Sequence, residues 1–96
     1  MRDVFRPKHE PARSIYDAFQ NEAAKRDSRP LHEAFEAESH AVWKAACESA
    51  SIHGLRPPTL AEVDDACTYA SGSIDFGAKW AFAIVDVMNR NGAPHG

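Results

Sequence analysis

The sequence predicts an all-α fold, a small bundle of about four helices that pairs with a second copy of itself. Three observations lead to this prediction. Apolar residues recur at three- and four-residue steps in four separate segments, which is the period of an amphipathic helix. A threonine and a glutamate three residues apart, at the start of the third segment, have the spacing of a capping box. The fourth segment is apolar around most of its circumference, so other helices must surround it.

The length of 96 residues predicts one domain, 1–96, with a single core. The net charge of −3 argues against general affinity for nucleic acid or a membrane surface, since both require a basic footprint. No apolar run is long enough to span a bilayer, and the N-terminus has no apolar core of a signal peptide. We therefore expect a cytoplasmic protein and no membrane partner.

The first helix is predicted over residues 11–27. Residues 1–10 contain basic residues and a proline but no periodicity, which predicts a loose arm. Pro11 suits the first turn of a helix. The apolar stripe of this helix consists of Ala12, Ile15, Tyr16, Phe19 and Ala23.

The second helix is predicted to follow a break at residues 28–30 and to run to about His53. Ser28 can cap it, Pro30 suits its first turn, and Gly54 is its natural stop. One long kinked helix over both segments is the alternative. The predicted stripe consists of Leu31, Phe35, Val42, Ala45, Ala46, Ser49 and Ile52.

The third helix is predicted to begin after Pro57 and Pro58, because a residue before proline avoids the helical region. Thr59 and Glu62 provide the capping box, and Ser71 with Gly72 ends the helix. The residues expected to be buried are Leu60, Val63, Ala66, Cys67 and Ala70.

The fourth helix is predicted to start at a cap, Ser73 or Asp75, and to end near Arg90. Its charged residues cluster in one arc, with Asp75–Lys79 and Asp86–Arg90 as acid-before-base pairs four residues apart. We expect Trp80 to be among the most buried residues. The broad apolar arc favours a homodimer and consists of Ile74, Phe76, Ala78, Trp80, Ala81, Ala83, Ile84, Val85, Val87 and Met88.

Phe82 interrupts the charged arc of the fourth helix, between Lys79 and Asp86. An isolated exposed aromatic residue is common, but aromatic residues also anchor interfaces. We therefore predict that Phe82, Lys79 and Asp86 contact a partner. Trp43 on the second helix is the next candidate.

No residue pattern predicts a metal, a cofactor or catalysis. The histidines and cysteines lack the close pairs of a zinc site: His32 and His40 are eight residues apart, and His40 and Cys47 seven. Cys47 and Cys67 are expected to be reduced, buried and small. Glu38 lies within the apolar stripe of the second helix, where a position at a groove edge or a pairing with a basic residue from another helix is a commoner explanation than a catalytic acid.

The third and fourth helices also have the order of a helix-turn-helix unit. A recognition helix presents basic and amide side chains to DNA. Here the third helix carries Glu62, Asp64 and Asp65, and Lys79 is the only base early in the fourth. Phosphates would be repelled, so DNA binding through this unit is not expected.

The segment 59–85 resembles the C-terminal part of small proteins found in tailed phages and prophages of proteobacteria. These proteins have a threonine-capped acidic helix followed by Gly-His/Ser, Asp-Tyr/Phe and Lys-aromatic-Ala patterns. Ser73 stands where many of them have histidine. The matching residues here are Thr59, Glu62, Gly72, Ser73, Asp75, Phe76, Lys79, Trp80 and Ala81.

This resemblance implies a phage accessory protein in the cytoplasm of a bacterial host, without implying an activity. An enzyme is not expected, because no residue pattern predicts a catalytic site. Proteins of this kind often bind and inhibit host machinery, so the expected partner is a host protein. It would be a component of a defence complex, inhibited as an anti-CRISPR protein inhibits its target, or a component of a regulatory complex. The alternative is a nucleic-acid-associated accessory protein that uses a basic arm. That arm would consist of Arg2, Arg6, Lys8 and Arg13.

Overall fold

The computed structural model describes residues 5–92, apart from the side chains of residues 26, 91 and 92. It contains four α-helices: α1 (Ala12–Ala23), α2 (Leu31–His53), α3 (Leu60–Ala70) and α4 (Phe76–Gly92). A short 3₁₀ helix, Arg26–Ser28, separates α1 from α2, and residues 5–92 contain no strand. The prediction of an all-α fold of four helices is confirmed.

The connection between α1 and α2 differs from the predicted one. Helix α1 ends at Ala23, four residues earlier than predicted, and the 3₁₀ turn follows. The Ser28 hydroxyl donates a hydrogen bond to the carbonyl of Lys25 at 2.9 Å, so it closes this turn. Pro30 occupies the cap position of α2, where no side chain caps the helix. The predicted Ser28 cap is therefore wrong, and so is the alternative of one continuous helix.

The segment before α1 has no regular secondary structure but is held against that helix. The guanidinium of Arg6 donates two hydrogen bonds to the carboxylate of Asp17, at 2.9 and 2.7 Å. This ion pair lowers the pKa of Asp17. Pro7 is buried. These contacts show that residues 6 and 7 are tethered; residues 1–4 of the predicted loose arm lie outside the described residues.

The face that α2 buries was only partly predicted. Val42, Ala46 and Ser49 are buried as expected. Leu31 (67% exposed), Phe35 (48%) and Ile52 (78%) are not, so this part of the prediction was wrong. The helix has 23 residues and is therefore about 34 Å long, longer than the helices that pack on it. The remaining buried positions are Ala34, Glu38 and Ala50.

Both ends of the α2–α3 connection match the sequence signals. Gly54 ends α2 in the left-handed conformation, with φ +70°, which glycine adopts without steric cost. At the start of α3, the amide of Glu62 donates to the Thr59 hydroxyl at 3.1 Å, and the amide of Thr59 donates to the Glu62 carboxylate at 2.9 Å. The capping box is confirmed. Val63, Ala66 and Ala70 are buried as predicted, whereas Leu60 and Cys67 are half-buried.

We expect Thr59→Ala to lower the free energy of unfolding by about 1 kcal/mol. The backbone amide of Glu62 would lose the hydroxyl that accepts its hydrogen bond, and the reciprocal half of the capping box would no longer be supported. Urea denaturation followed by circular dichroism would measure this loss. Thr68→Ala in the same helix is the matched control. Thr68 is exposed and only bonds the carbonyl of Asp64 one turn earlier, so its loss should be neutral. Equal losses for both variants would show that the capping box does not stabilise α3.

The core forms where the four helices meet, and within it α4 packs on both α1 and α3. Trp80 is 2% exposed, which confirms its predicted burial. Its ring packs edge-on against Phe19 at 5.6 Å between centroids, and its indole nitrogen donates to the carbonyl of Val63 at 2.9 Å. A close approach at Gly77 brings α1 against α4: a β-carbon there would lie 2.9 Å from ring atoms of Phe19 and Tyr16.

One chain buries five of the ten residues of the predicted apolar arc of α4 and half-buries four more. Ala78, Ala81, Ile84 and Met88 are 3% exposed or less. Ile74, which precedes the helix, is 89% exposed. The burial requirement that favoured a homodimer is therefore largely met by α1, α2 and α3 of the same copy, and dimerisation stays a prediction.

Candidate interaction surface

The charged arc of α4 faces α3 across an open groove of about 790 Å³. We call it the α3–α4 groove. It contains an apolar floor, two aromatic side chains and six charged side chains, so it is a mixed surface rather than a polar helix face. The residues that line it are Glu62, Asp65, Ala66, Tyr69, Asp75, Lys79, Phe82, Ala83, Asp86, Val87 and Arg90.

Two large aromatic side chains stand exposed in the α3–α4 groove. Phe82 on α4 is 54% exposed and Tyr69 on α3 is 67% exposed. The ammonium of Lys79 lies over the Tyr69 ring, 5.2 Å from its centroid, in cation–π geometry. This contact joins the two helices across the groove and orients Tyr69. Two exposed aromatic residues that line one groove are typical of a surface that binds another molecule.

The charges of the groove are unbalanced. Four carboxylates and two basic side chains line it, which leaves a net charge of −2. Arg90 pairs with Asp86 at 3.4 Å, with both side chains about 70% exposed, as the sequence predicted. Among the described residues, the predicted Asp75–Lys79 pair is not formed, because Lys79 lies over Tyr69 instead. The groove is therefore acidic around an apolar centre.

Three of the four predicted contact residues lie together in this groove: Phe82, Lys79 and Asp86. Sequence reasoning missed the α3 side, with Tyr69, Glu62 and Asp65. A signal was available, since Tyr69 lies outside the apolar stripe of α3, where a large aromatic residue contributes nothing to the core. Periodicity does not show which helix lies next to the charged arc of α4.

Trp43, the fourth predicted contact residue, does not line this groove. Its indole nitrogen donates to the carbonyl of Pro58 at 3.0 Å, and its half-buried ring lies edge-on to His40 at 6.2 Å. These contacts hold the α2–α3 connection against α2. Trp43 therefore has an evident structural role, and its role in partner binding stays a prediction.

The basic arm of the alternative hypothesis is largely neutralised. Arg6 pairs with Asp17 at 2.7 Å and Arg13 with Glu10 at 3.3 Å. Arg2 lies outside the described residues. Of the three described basic residues of this arm, only Lys8 has no ion-pair partner. Phosphate binding would have to break two existing pairs, which disfavours this surface as a nucleic-acid site.

Glu38 is 1% exposed, which makes it the most deeply buried carboxylate among the residues with a described side chain. Its side chain is engaged in an interaction, and the described residues contain no buried side-chain nitrogen or oxygen atom without a hydrogen-bond partner. Glutamate is rarely buried this deeply unless its carboxylate has a partner, and Glu38 meets that condition. This environment favours the structural interpretation of Glu38.

Cys47 and Cys67 are free thiols and half-buried, so they are less buried than predicted. Burial raises the pKa of both thiols, and nearby carboxylates raise it further: Glu48 for Cys47, and Asp64 and Glu38 for Cys67. Both thiols are therefore protonated at neutral pH. A protonated thiol is a poor nucleophile and a poor metal ligand.

We expect a chelator to leave folding unchanged. The described part of the chain contains no group of three or more histidine, cysteine or acidic residues placed to hold an ion. Circular dichroism melts of tag-free protein, with and without excess EDTA, should therefore superimpose. A stoichiometric metal together with a lower melting temperature after its removal would contradict this expectation.

Comparisons with known proteins add no further constraint: no protein-family model, curated protein or solved structure matches the chain. None of the helices within residues 5–92 combines the length and the apolar character needed to cross a membrane.

Proposed function

We propose that this protein acts by binding another protein through the α3–α4 groove. The observation that carries the proposal is the pair of exposed aromatic residues, Phe82 and Tyr69, on either side of an apolar floor. Neither ring is needed for the core, which already contains Phe19, Phe76 and Trp80 in mutual contact. Their exposure is therefore best explained by contact with a partner.

The proposed partner is a host protein of the bacterium in which the protein resides. This part of the proposal is supported by the resemblance of residues 59–85 to phage and prophage accessory proteins. Proteins of that kind frequently block host complexes, so a component of a defence system such as CRISPR, or of a regulatory complex, is the proposed target. No enzymatic step is part of the proposal, since binding alone inhibits a complex when it covers a functional surface.

Affinity capture from a proteobacterial lysate tests the proposal when it compares matched variants. Phe82→Asp replaces an exposed ring of the groove with a charge and should abolish capture of the target. Phe35→Asp is the control. Phe35 is also a phenylalanine within a helix and is exposed to a similar degree, 48% compared with 54% for Phe82, but it does not line the groove. Both variants should keep normal helix content, since changes at exposed positions usually alter stability by about 0.5 kcal/mol or less.

Two outcomes would contradict the proposal. One is a target captured equally well by the wild type and by Phe82→Asp. The other is unfolding of Phe82→Asp, which would make Phe82 a core residue. Binding that weakens by orders of magnitude between about 50 and 200 mM salt would instead favour the nucleic-acid alternative.

A further inference from the structure

We infer that the α3–α4 groove binds a basic amphipathic helix of the partner protein. This inference rests on the proposed function and adds the chemical class of the partner. Three features of the groove lead to it: its floor, its length and the charges at its rim.

The floor of the groove consists of small or short side chains. Ala66 lies on α3, and Ala83 and Val87 lie on α4. Helices pack with their axes about 8–10 Å apart, and short side chains at the contact allow the closer distances. Tyr69 and Phe82 stand exposed beside this floor and provide apolar contact area at its edges. A partner helix with apolar residues along one face would pack that face against the floor.

The groove has the length of a helix-binding site. Its lining extends from Asp75, which directly precedes α4, to Arg90, a separation of 15 residues or about 23 Å of helix. The lining on α3 extends from Glu62 to Tyr69, a separation of seven residues or about 10 Å. A partner helix would contact both walls over about two turns and α4 alone over about two more. Peptides that bind in this way anchor through apolar residues at i, i+3 or i+4, and i+7.

The rim charges favour basic residues beside that apolar face. Glu62 accepts a hydrogen bond in the capping box, and Asp86 is paired with Arg90. Asp65 and Asp75 have no ion-pair partner among the residues whose side chains are described. Lysine or arginine side chains at the edges of a bound helix would neutralise them.

A second copy of the chain fits this surface less well. Each copy would bring a groove of net charge −2, so a groove-to-groove contact would bring like charges together. The charge pattern therefore selects a basic partner over self-association.

The test uses a defined probe, a fluorescein-labelled synthetic peptide of about 16 residues. It carries leucine at i, i+3 or i+4, and i+7 spacing and lysine on the flanking positions. The control peptide has glutamate in place of every lysine. We expect fluorescence anisotropy with the full chain to show binding of the lysine peptide at least about tenfold tighter than binding of the glutamate peptide.

Variants of the protein locate the contact. Phe82→Ala should weaken binding of the lysine peptide about tenfold or more; alanine removes the ring and leaves the net charge of the groove unchanged. The double variant Asp65→Asn and Asp75→Asn should weaken binding about fivefold at low salt, the size expected for two exposed ion pairs, and flatten its salt dependence. Asparagine is a good helix cap, so the change before α4 preserves the helix start. Phe35→Ala should bind as the wild type does.

Equal affinity for the two peptides, or an affinity that does not change in the double variant, would overturn the inference. The proposed function would survive that result if capture of a cellular protein still depended on Phe82. Self-association that Phe82→Ala abolishes in sedimentation velocity, without binding of the lysine peptide, would also overturn it and would identify a second copy as the occupant.

Discussion

Trp80→Ala should lower the free energy of unfolding by about 3–5 kcal/mol, which is a large share of the 5–15 kcal/mol typical of a domain. The indole is 2% exposed. It contacts Phe19 edge-on and Phe76 at 5.4 Å between centroids, and it donates a hydrogen bond to Val63. Alanine would lose all of these contacts and leave a cavity between α1, α3 and α4.

Urea denaturation monitored by circular dichroism at 222 nm measures this loss directly. Trp80→Phe is the informative control, because it keeps an aromatic ring against Phe19 and removes only the indole hydrogen bond and part of the volume. Its loss should be clearly smaller than that of Trp80→Ala. A cost below about 1 kcal/mol for Trp80→Ala would contradict the packing described here, since that range is typical of surface changes.

Gly77→Val should destabilise the protein by about 1–3 kcal/mol or more through overpacking. A β-carbon at this position would lie 2.9 Å from ring atoms of Phe19 and Tyr16, both of them buried. Neither ring can move away without disturbing the core. Valine is only a few tenths of a kcal/mol better than glycine within a helix, so the gain in helix propensity does not offset the clash.

The control for this substitution is Ala83→Val, a β-branched substitution in the same helix. Ala83 is half-buried and lines the open groove, so larger side chains there extend toward solvent rather than into the α1–α4 contact. Thermal melts should therefore show a large drop in melting temperature for Gly77→Val and little change for Ala83→Val. A stabilised Gly77→Val would show that α1 and α4 do not approach each other closely at Gly77.

The helix boundaries follow largely from local signals, which explains why most of them could be predicted. Gly54 and the Thr59–Glu62 capping box act within one helical turn, and both occur where the sequence indicated. The end of α1 was placed four residues too late, because the 3₁₀ turn closed by Ser28 has no distinctive sequence signal.

The buried face of α2 shows the limit of periodicity. Periodicity identifies which side of a helix is apolar, but not how much of its length the neighbouring helices cover. Leu31 and Ile52, the first and the second-to-last residues of α2, are exposed, whereas Glu38, two turns inside the helix, is buried. The close packing at Gly77 was likewise invisible, since it depends on which part of α1 meets α4.

Only the α4 side of the candidate surface could be predicted, because periodicity does not show which helix packs beside it. Lys79, Phe82 and Asp86 share one face of α4 through helical spacing alone, and the structure places them together. Tyr69 and Asp65 join them only because α3 packs beside that face, which is a property of the tertiary fold.

Site-specific photo-crosslinking in a proteobacterial cell tests the binding role of the α3–α4 groove most directly. A photoreactive phenylalanine analogue replaces Phe82 in one variant and Phe35 in the other, so the two probes differ only in location. We predict a discrete crosslinked product with another protein from position 82 and none from position 35. A product from position 35 alone, or from neither position, would contradict the assignment of this groove as the binding surface.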